Sequence, residues 1–482
     1  IVLSPGYAIN QTICRTFVSQ GKLADSYQAS PCSTFPPWDT GVCERVITKP
    51  LSCQGCPFYA TSSTYEPDVV REDSPIMVMG QGPVEKDGLD PFLKVAGLTR
   101  EDISYSRAIR CKWKGTNDLP PITQTVTREA LAHCTRAHLR VPSAARLWIA
   151  LGDYGAQVLT GSGIGDWRGY LRSASGRALP EHIRLDGVNE PWIPNAQDHK
   201  VLVSIWPPDL HKQPSLTMAA RADWSKVARI MAGKWPRRPP QYLENPVKVW
   251  PAEFAFDTEY YYTNGSPFTT LIRYSLAWGT EDNQCTVVER GDHRLPVLQG
   301  KPRVVSQYAP ADMRHLDRLS GGRGDGLSLS FWNTFTIEDA VWKHAVLWSD
   351  QDHDLNYLGS IYSSFNRWKH LADESPRLYS ALDAIGLYEI DTALERELAA
   401  DPLSRQVWRT IDQPALGEFV RAQYRGLRVD TERVRGVIGQ LETVASKSMA
   451  RGVAAVGWPI NVGSDKQTAH QLYKVEGLKV PR

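Results

Sequence analysis

Three short apolar runs, Ile76-Met77-Val78-Met79, Leu147-Trp148-Ile149-Ala150-Leu151 and Val201-Leu202-Val203-Ser204-Ile205, each stop at a glycine or proline turn. The first runs into Gly80-Gln81-Gly82-Pro83, the second into Gly152 ahead of a helical stretch over 154–159, and the third into Trp206-Pro207-Pro208. Runs this short and this uniformly apolar read as buried strands, and with helices between them they predict an α/β sheet whose site lies at the strand ends. At 482 residues the chain is too long for one core, so roughly two to four domains are expected. With 42% hydrophobic residues and no long polar tract it reads as globular throughout. No run reaches the roughly twenty apolar residues of a membrane span.

Residues 1–50 carry Pro31, Pro36, Pro37 and Gly41 and read as an irregular lead-in. Their start, Ile1-Val2-Leu3-Ser4-Pro5-Gly6, has neither an initiator Met nor a charged segment before an apolar one, the pattern of a processed or truncated chain rather than of a signal peptide. A first α/β unit is expected over 51–233, a proline-stiffened basic linker over 234–250, a second α/β unit over 251–391 and a helical segment over 392–482. In that last segment Asp430 is placed as an N-cap, with Val434, Val437, Ile438, Leu441 and Val444 at helical spacing. Net charge is +2, which says nothing about nucleic acid; Lys234, Arg237, Arg238 and Lys248 cluster, more often a solvated face than a phosphate contact. All but one of the eight cysteines lie in the first third, and without a secretory signal this favours a metal or cluster site over disulfides. There is no internal repeat and no phosphate-loop signature.

The segment Phe254-Ala255-Phe256-Asp257-Thr258-Glu259 carries the most chemistry. Strand alternation puts Asp257 and Glu259 on one face and Phe254 and Phe256 on the other. Two adjacent carboxylates repel unless cations lie between them. Downstream, the i, i+4 spacing of Tyr379 and Asp383 puts a phenol and a carboxylate on one helical face, and Asp312 sits just ahead of an apolar helical stretch.

Asp257-x-Glu259, a central Asp312 and Tyr379-x-x-x-Asp383 in that order resemble the DEDD 3′→5′ exonucleases with a tyrosine in the last motif. The intervening Glu338-Asp339-Ala340 and Leu355-Asn356-Tyr357-Leu358-Gly359-Ser360-Ile361-Tyr362 resemble phage-type family A DNA polymerases. The resemblance implies a ribonuclease H-like fold and two Mg²⁺ or Mn²⁺ ions about 4 Å apart, held by Asp257, Glu259, Asp312 and Asp383, with Tyr379 orienting the attacking water. The family's Asn ahead of the central Asp is replaced here by Gln307 or Tyr308.

Cys53-Gln54-Gly55-Cys56 with Cys111 and Cys134 gives four possible thiolate ligands. Together with Gly80-Gln81-Gly82-Pro83, Gly88-Leu89-Asp90-Pro91-Phe92, Arg110-Cys111, Leu151-Gly152-Asp153-Tyr154-Gly155-Ala156 and Trp167-Arg168-Gly169 it resembles the iron–sulfur uracil-DNA glycosylases. That resemblance spans roughly residues 50–230 and implies an α/β/α sandwich with a [4Fe–4S] cluster on Cys53, Cys56, Cys111 and Cys134, although the stretch between the last two is lengthened around 116–121. A zinc site on Cys32, Cys43, Cys53 and Cys56, or plain buried thiols, are the alternatives. The family's uracil-reading Asn aligns with Arg107 and its catalytic His with Trp206, while Gln81 stands where an acid is common. An indole cannot carry the charge an imidazole can, so no useful uracil excision is expected. Phe92 is the family's stacking residue but is more commonly explained as a core aromatic.

Gly426-Leu427-Arg428-Val429-Asp430 and Pro459-Ile460-Asn461-Val462-Gly463-Ser464 resemble the opening of the family A polymerase region, and no palm segment follows before Arg482. The leading expectation is therefore the proofreading exonuclease portion of a phage-like replicative polymerase, acting on primer 3′ ends with other replisome proteins in the cytoplasm of an infected bacterium. This chain as given is not expected to synthesise DNA. A stand-alone repair nuclease with a lesion-binding domain, or a non-enzymatic DNA-binding adaptor, are the alternatives.

Overall fold

A computed structural model describes residues 49–84, 87–113, 120, 124–174, 199–262, 269–289, 297, 299–319, 334–425, 428–461 and 463–477. Cys14, Cys32 and Cys43, most of the lengthened stretch before Cys134, and Gly426, Leu427 and Val462 lie outside them. Residues 47–482 form one compact, mixed α/β unit with two five-stranded sheets.

The first sheet contains β1 (Ile76–Gly80), β2 (Ile103–Arg107), β3 (Leu147–Leu151), β4 (Leu171–Ser173) and β5 (Lys200–Ser204), in the order β2-β1-β3-β5-β4. All pairs are parallel except the β4–β5 edge. The three apolar runs read from the sequence are its central strands. β1 and β3 are buried along their whole length, as parallel strands covered on both faces must be. Alternation divides their side chains between two cores. Val78, Ile149 and Leu202 pack with α1 (Asp90–Ala96) and α4 (Thr217–Ser225), whereas Met79, Trp148 and Val203 pack with α2 (Thr125–His138) and α3 (Gly152–Thr160).

The second sheet contains β6 (Glu253–Tyr262), β7 (Thr269–Ala277), β8 (Cys285–Glu289), β9 (Arg303–Ser306) and β10 (Thr336–Asp339), in the order β8-β7-β6-β9-β10. The first three form an antiparallel meander, and β9 and β10 run parallel to β6. Phe254 and Phe256 face Met313 and Leu316 of α5 (Ala309–Leu319), while Ala255 faces Ala381, Leu382 and Ile385 of α7 (Pro376–Ala400). The expected alternation holds, and it delivers Asp257 and Glu259 to the α7 side.

One apolar cluster runs through both sheets, from Val78 and Leu202 to Ala255 and Ile385. A buried polar lock sits where they meet. Arg168 pairs with Asp223 at 2.8 Å, and the fully buried Lys226 ammonium donates to Gly169 O at 2.6 Å and to Ser360 O. Tyr170 Oη donates to Asn356 O of α6 (Leu355–Tyr362) at 2.7 Å, and Asn366 brackets the Leu171 backbone at 2.9 and 3.0 Å. Trp235 of the proline-rich basic stretch is buried beneath Lys226, its ring centroid 4.8 Å from Nζ. Arg237 pairs with Glu281 at 2.8 Å, while Lys234, Arg238 and Lys248 are exposed, the solvated face their clustering suggested.

Near the end of the chain, α8 (Thr431–Val456) begins at Asp430, whose carboxylate accepts the Arg433 N–H at 3.0 Å as a cap should. Its Val434, Val437, Ile438, Leu441 and Val444 are exposed. Among the described residues no helix is long and apolar enough to cross a membrane.

Candidate active site

Asp257, Glu259 and Asp383 each present a carboxylate oxygen within 4.8 Å of the others, the one such acidic group among the described residues. Strand β6 supplies the first two and the buried face of α7 the third. Oδ2 of Asp257 is buried without a hydrogen-bond partner among the described residues. Burial, and then the charges of Asp383, Asp312 and Glu259, push the Asp257 carboxyl well above the usual carboxylate range. Burial and Asp383 raise Glu259 as well, against Lys369 and Arg273. Such a group binds protons or cations to relieve its repulsion, and an all-oxygen donor set suits hard divalent ions.

Asp312 lies inside the first turn of α5 rather than ahead of the helix, and it stands apart from the group of three. Thr258 Oγ1 and Ser306 Oγ donate to its two oxygens, each at 2.6 Å. Burial raises its pKa to about 7 against those two hydroxyls, and its charge in turn acts on Asp257. It is therefore not brought into the group as a fourth ligand, and acts on it through its charge.

Tyr379 and Asp383 share a face of α7 as their spacing predicted, and Lys369 touches both. Burial and the neighbouring Asp383 charge raise the Tyr379 hydroxyl, so it stays protonated and can donate. Two partners went unread in the sequence. Trp368 Nε1 donates to Asp383 Oδ1 at 2.6 Å. Lys369 Nζ lies 2.9 Å from Tyr379 Oη and 3.1 and 3.3 Å from the two Asp383 oxygens. Both come from the irregular stretch between α6 and the short helix Leu371–Glu374, where no periodicity marks them. Gln307, at the position of the missing Asn, donates instead to His353 O at 2.7 Å.

The second cluster is sulfur. Cys53 ends a 3₁₀ turn, Cys56 follows it, Cys111 opens a short strand and Cys134 lies on α2; all four line one small pocket with Phe58, Ile109, His133 and His138. Burial and then the other thiols push Cys53 up to about 11, and burial raises Cys56 to about 11. Thiolates there need a cation to offset their mutual repulsion. Arg110, buried and paired with Asp68 at 2.6 Å, donates to Cys134 Sγ at 3.4 Å, and His138 Nε2 lies 3.1 Å from Cys53 Sγ. The thiols do not close to the compact tetrahedron of one ion, in which sulfurs on bonds of ~2.3 Å stand about 3.8 Å apart.

At the C-terminal edge of the first sheet, the Trp206 indole fills the space between strands. A Cβ on Gly80 would come within 2.8 Å of its ring and 2.6 Å of Tyr105 Oη, and one on Gly152 within 2.9 Å of its Cβ. Trp206 is itself buried. Phe92 is buried too, 6.4 Å from the Trp224 ring, and serves the core. Arg107 is tied to Glu66 at 2.9 Å and Gln81 to Asp209 at 2.9 Å.

No family model matches this chain, and no curated protein matches it in sequence. Among solved structures, Brucella melitensis NrnC with bound Mg²⁺ is similar over 39% of this chain and 90% of that one, at 16% identity and a TM-score of 0.26, too slight a likeness to assign a fold.

Proposed function

We propose that the second sheet carries a DNA-directed 3′→5′ exonuclease of the two-metal type, the proofreading portion of a phage-like family A polymerase. The convergence of Asp257, Glu259 and Asp383 from two distant segments carries this reading. The strand order β8-β7-β6-β9-β10, with an antiparallel meander followed by two parallel strands, supports a ribonuclease H-like fold. Asp257, Glu259 and Asp383 would hold the ions, with Asp312 adding its charge nearby. Bound there, divalent cations supply a hydroxide near neutral pH and stabilise the charge on the departing 3′ oxygen.

The protein's own groups do the rest. Tyr379, kept protonated, donates a hydrogen bond and orients the attacking water towards the terminal phosphodiester. Trp368 and Lys369 fix the Asp383 carboxylate through Oδ1, so its geometry survives the arrival of substrate. Asp257→Asn in a 5′-labelled oligonucleotide assay with Mg²⁺ should abolish stepwise shortening while leaving the fold intact.

For the first sheet we propose an α/β/α glycosylase-like scaffold without uracil excision, which binds DNA or a replication partner. Trp206 supports the loss of activity, since its buried indole stands where the resemblance calls for a histidine and cannot carry the positive charge an imidazole can. Cys53, Cys56, Cys111 and Cys134 line one pocket, and for them we carry over the [4Fe–4S] cluster that the glycosylase resemblance implies. Iron and sulfide analysis of protein purified without oxygen tests this; a colourless, zinc-loaded protein would end it.

A further inference from the structure

We infer that Lys369 is a positioning residue of the carboxylate site, bridging the Tyr379 hydroxyl and Asp383 so that the phenol stands where it can orient the attacking water. The inference rests on the exonuclease reading above. Its ground is geometric. Nζ reaches Tyr379 Oη at 2.9 Å and both Asp383 oxygens at 3.1 and 3.3 Å, and it also lies 4.9 Å from the centroid of the Tyr379 ring. One ammonium thus holds three oxygens of two residues that are themselves a helical turn apart.

The lysine is not on a free arm. Trp368, its chain neighbour, is 2% exposed and donates to the same Asp383 oxygen at 2.6 Å. The Trp368 ring lies so close to α6 and α7 that a Cβ on Gly359 would come within 2.8 Å of it and one on Gly386 within 3.0 Å. Those two glycines admit the indole, and the indole anchors the backbone from which Lys369 extends. An ammonium donates and cannot accept, so its bond to Tyr379 uses the phenol's lone pair and leaves the phenol's own proton to be donated. A lysine serving only as a counter-charge to the acids would need no contact with the phenol.

The two roles separate experimentally. If Lys369 acts through Tyr379, Lys369→Met lowers kcat roughly a hundredfold with KM for a single-stranded oligonucleotide little changed, because misplacing a catalytic group by an ångström has about that effect. The double variant Lys369→Met/Tyr379→Phe is then no slower than Tyr379→Phe alone, since both remove one interaction. Lys369→Arg keeps the charge but not the compact ammonium, and restores little. Multiplying effects in the double variant, full rescue by arginine, or wild-type kcat in Lys369→Met would each overturn the inference. Should Lys369→Met fail to fold, Lys369→Gln carries the same cycle. If wild-type protein itself shows no Mg²⁺-dependent shortening, the exonuclease reading fails first; if wild type is active, Asp257→Asn is dead and Lys369→Met is unimpaired, only the lysine's role falls.

Discussion

Removing the charge of Asp257 should make the metal-free protein more stable, although it destroys the site. The oxygens of Asp257, Glu259 and Asp383 lie within 4.8 Å of one another, and two unit charges that far apart repel by about 3 kcal/mol at an effective dielectric near 20. Asp257→Asn relieves two such repulsions and loses the attraction of Lys369, for a net gain of roughly 3 kcal/mol at pH 8. Proton uptake sets the ceiling: a carboxyl that ionises near 3.8 in the unfolded chain and stays neutral in the fold at pH 8 costs at most about 6 kcal/mol. Because the native carboxyl ionises above its unfolded value, the folded state binds more protons between the two values. Stability of the metal-free wild type therefore falls as pH rises through that window, and the advantage of the asparagine variant grows with it, vanishing near pH 4. Thermal melts in EDTA should show Asp257→Asn about 6 °C above wild type at pH 8, taking ~2 °C per kcal/mol. Mg²⁺ should then stabilise wild type and leave the variant almost unmoved. A variant that melts with or below wild type at pH 8 in EDTA would refute the picture of a repulsive, cation-seeking group.

Three further outcomes are expected. Ser306→Ala removes one of the two hydroxyls that hold down the Asp312 pKa, so the acid limb of the Mg²⁺-dependent rate should move to higher pH by roughly half a unit to one unit; an unmoved or lowered limb would show that Asp312 does not matter to metal loading. Asp223→Ala leaves Arg168 and Lys226 buried without their counter-charge between the two sheets and should cost about 3–5 kcal/mol in urea unfolding, and a loss below 1 kcal/mol would mean that water already reaches the lock. Incubation with uracil-containing single strands should release no free uracil, as the Trp206 indole cannot carry the charge that stabilises the departing base; measurable release would contradict that reading.

The sequence was most legible where a local period meets a demanding residue type. The Phe254–Glu259 alternation and the Tyr379–Asp383 spacing each place side chains by backbone geometry alone, and both held. Asp312 was read as a fourth metal ligand, but it stands apart from the group of three. Its two hydroxyl partners were not legible, because Thr258 and Ser306 come from neighbouring strands whose register the text does not print. Trp368 and Lys369 were illegible for the same reason. Their loop matters only once Gly359 and Gly386, on two different helices, have made room for an indole. Trp206 could be read as a missing histidine, yet what it does instead, closing the space beside Gly80 and Gly152, is a packing fact. Trp235 sits in a stretch whose prolines and charges spell a linker; it is buried beneath Lys226, whose ammonium donates to Ser360 O of α6, a contact across more than a hundred residues that no local pattern announces.

The most direct test is a 3′-mismatched primer–template, labelled at the 5′ end, incubated with wild-type protein and with Asp257→Asn in Mg²⁺ and in EDTA. Wild type in Mg²⁺ should shorten the primer one nucleotide at a time from its 3′ end, faster when that end is frayed, and the variant and the EDTA reactions should leave it intact. Undiminished shortening by the variant, or a wild type that takes up Mg²⁺ at the site yet leaves the primer untouched, would contradict an exonuclease built on Asp257, Glu259 and Asp383.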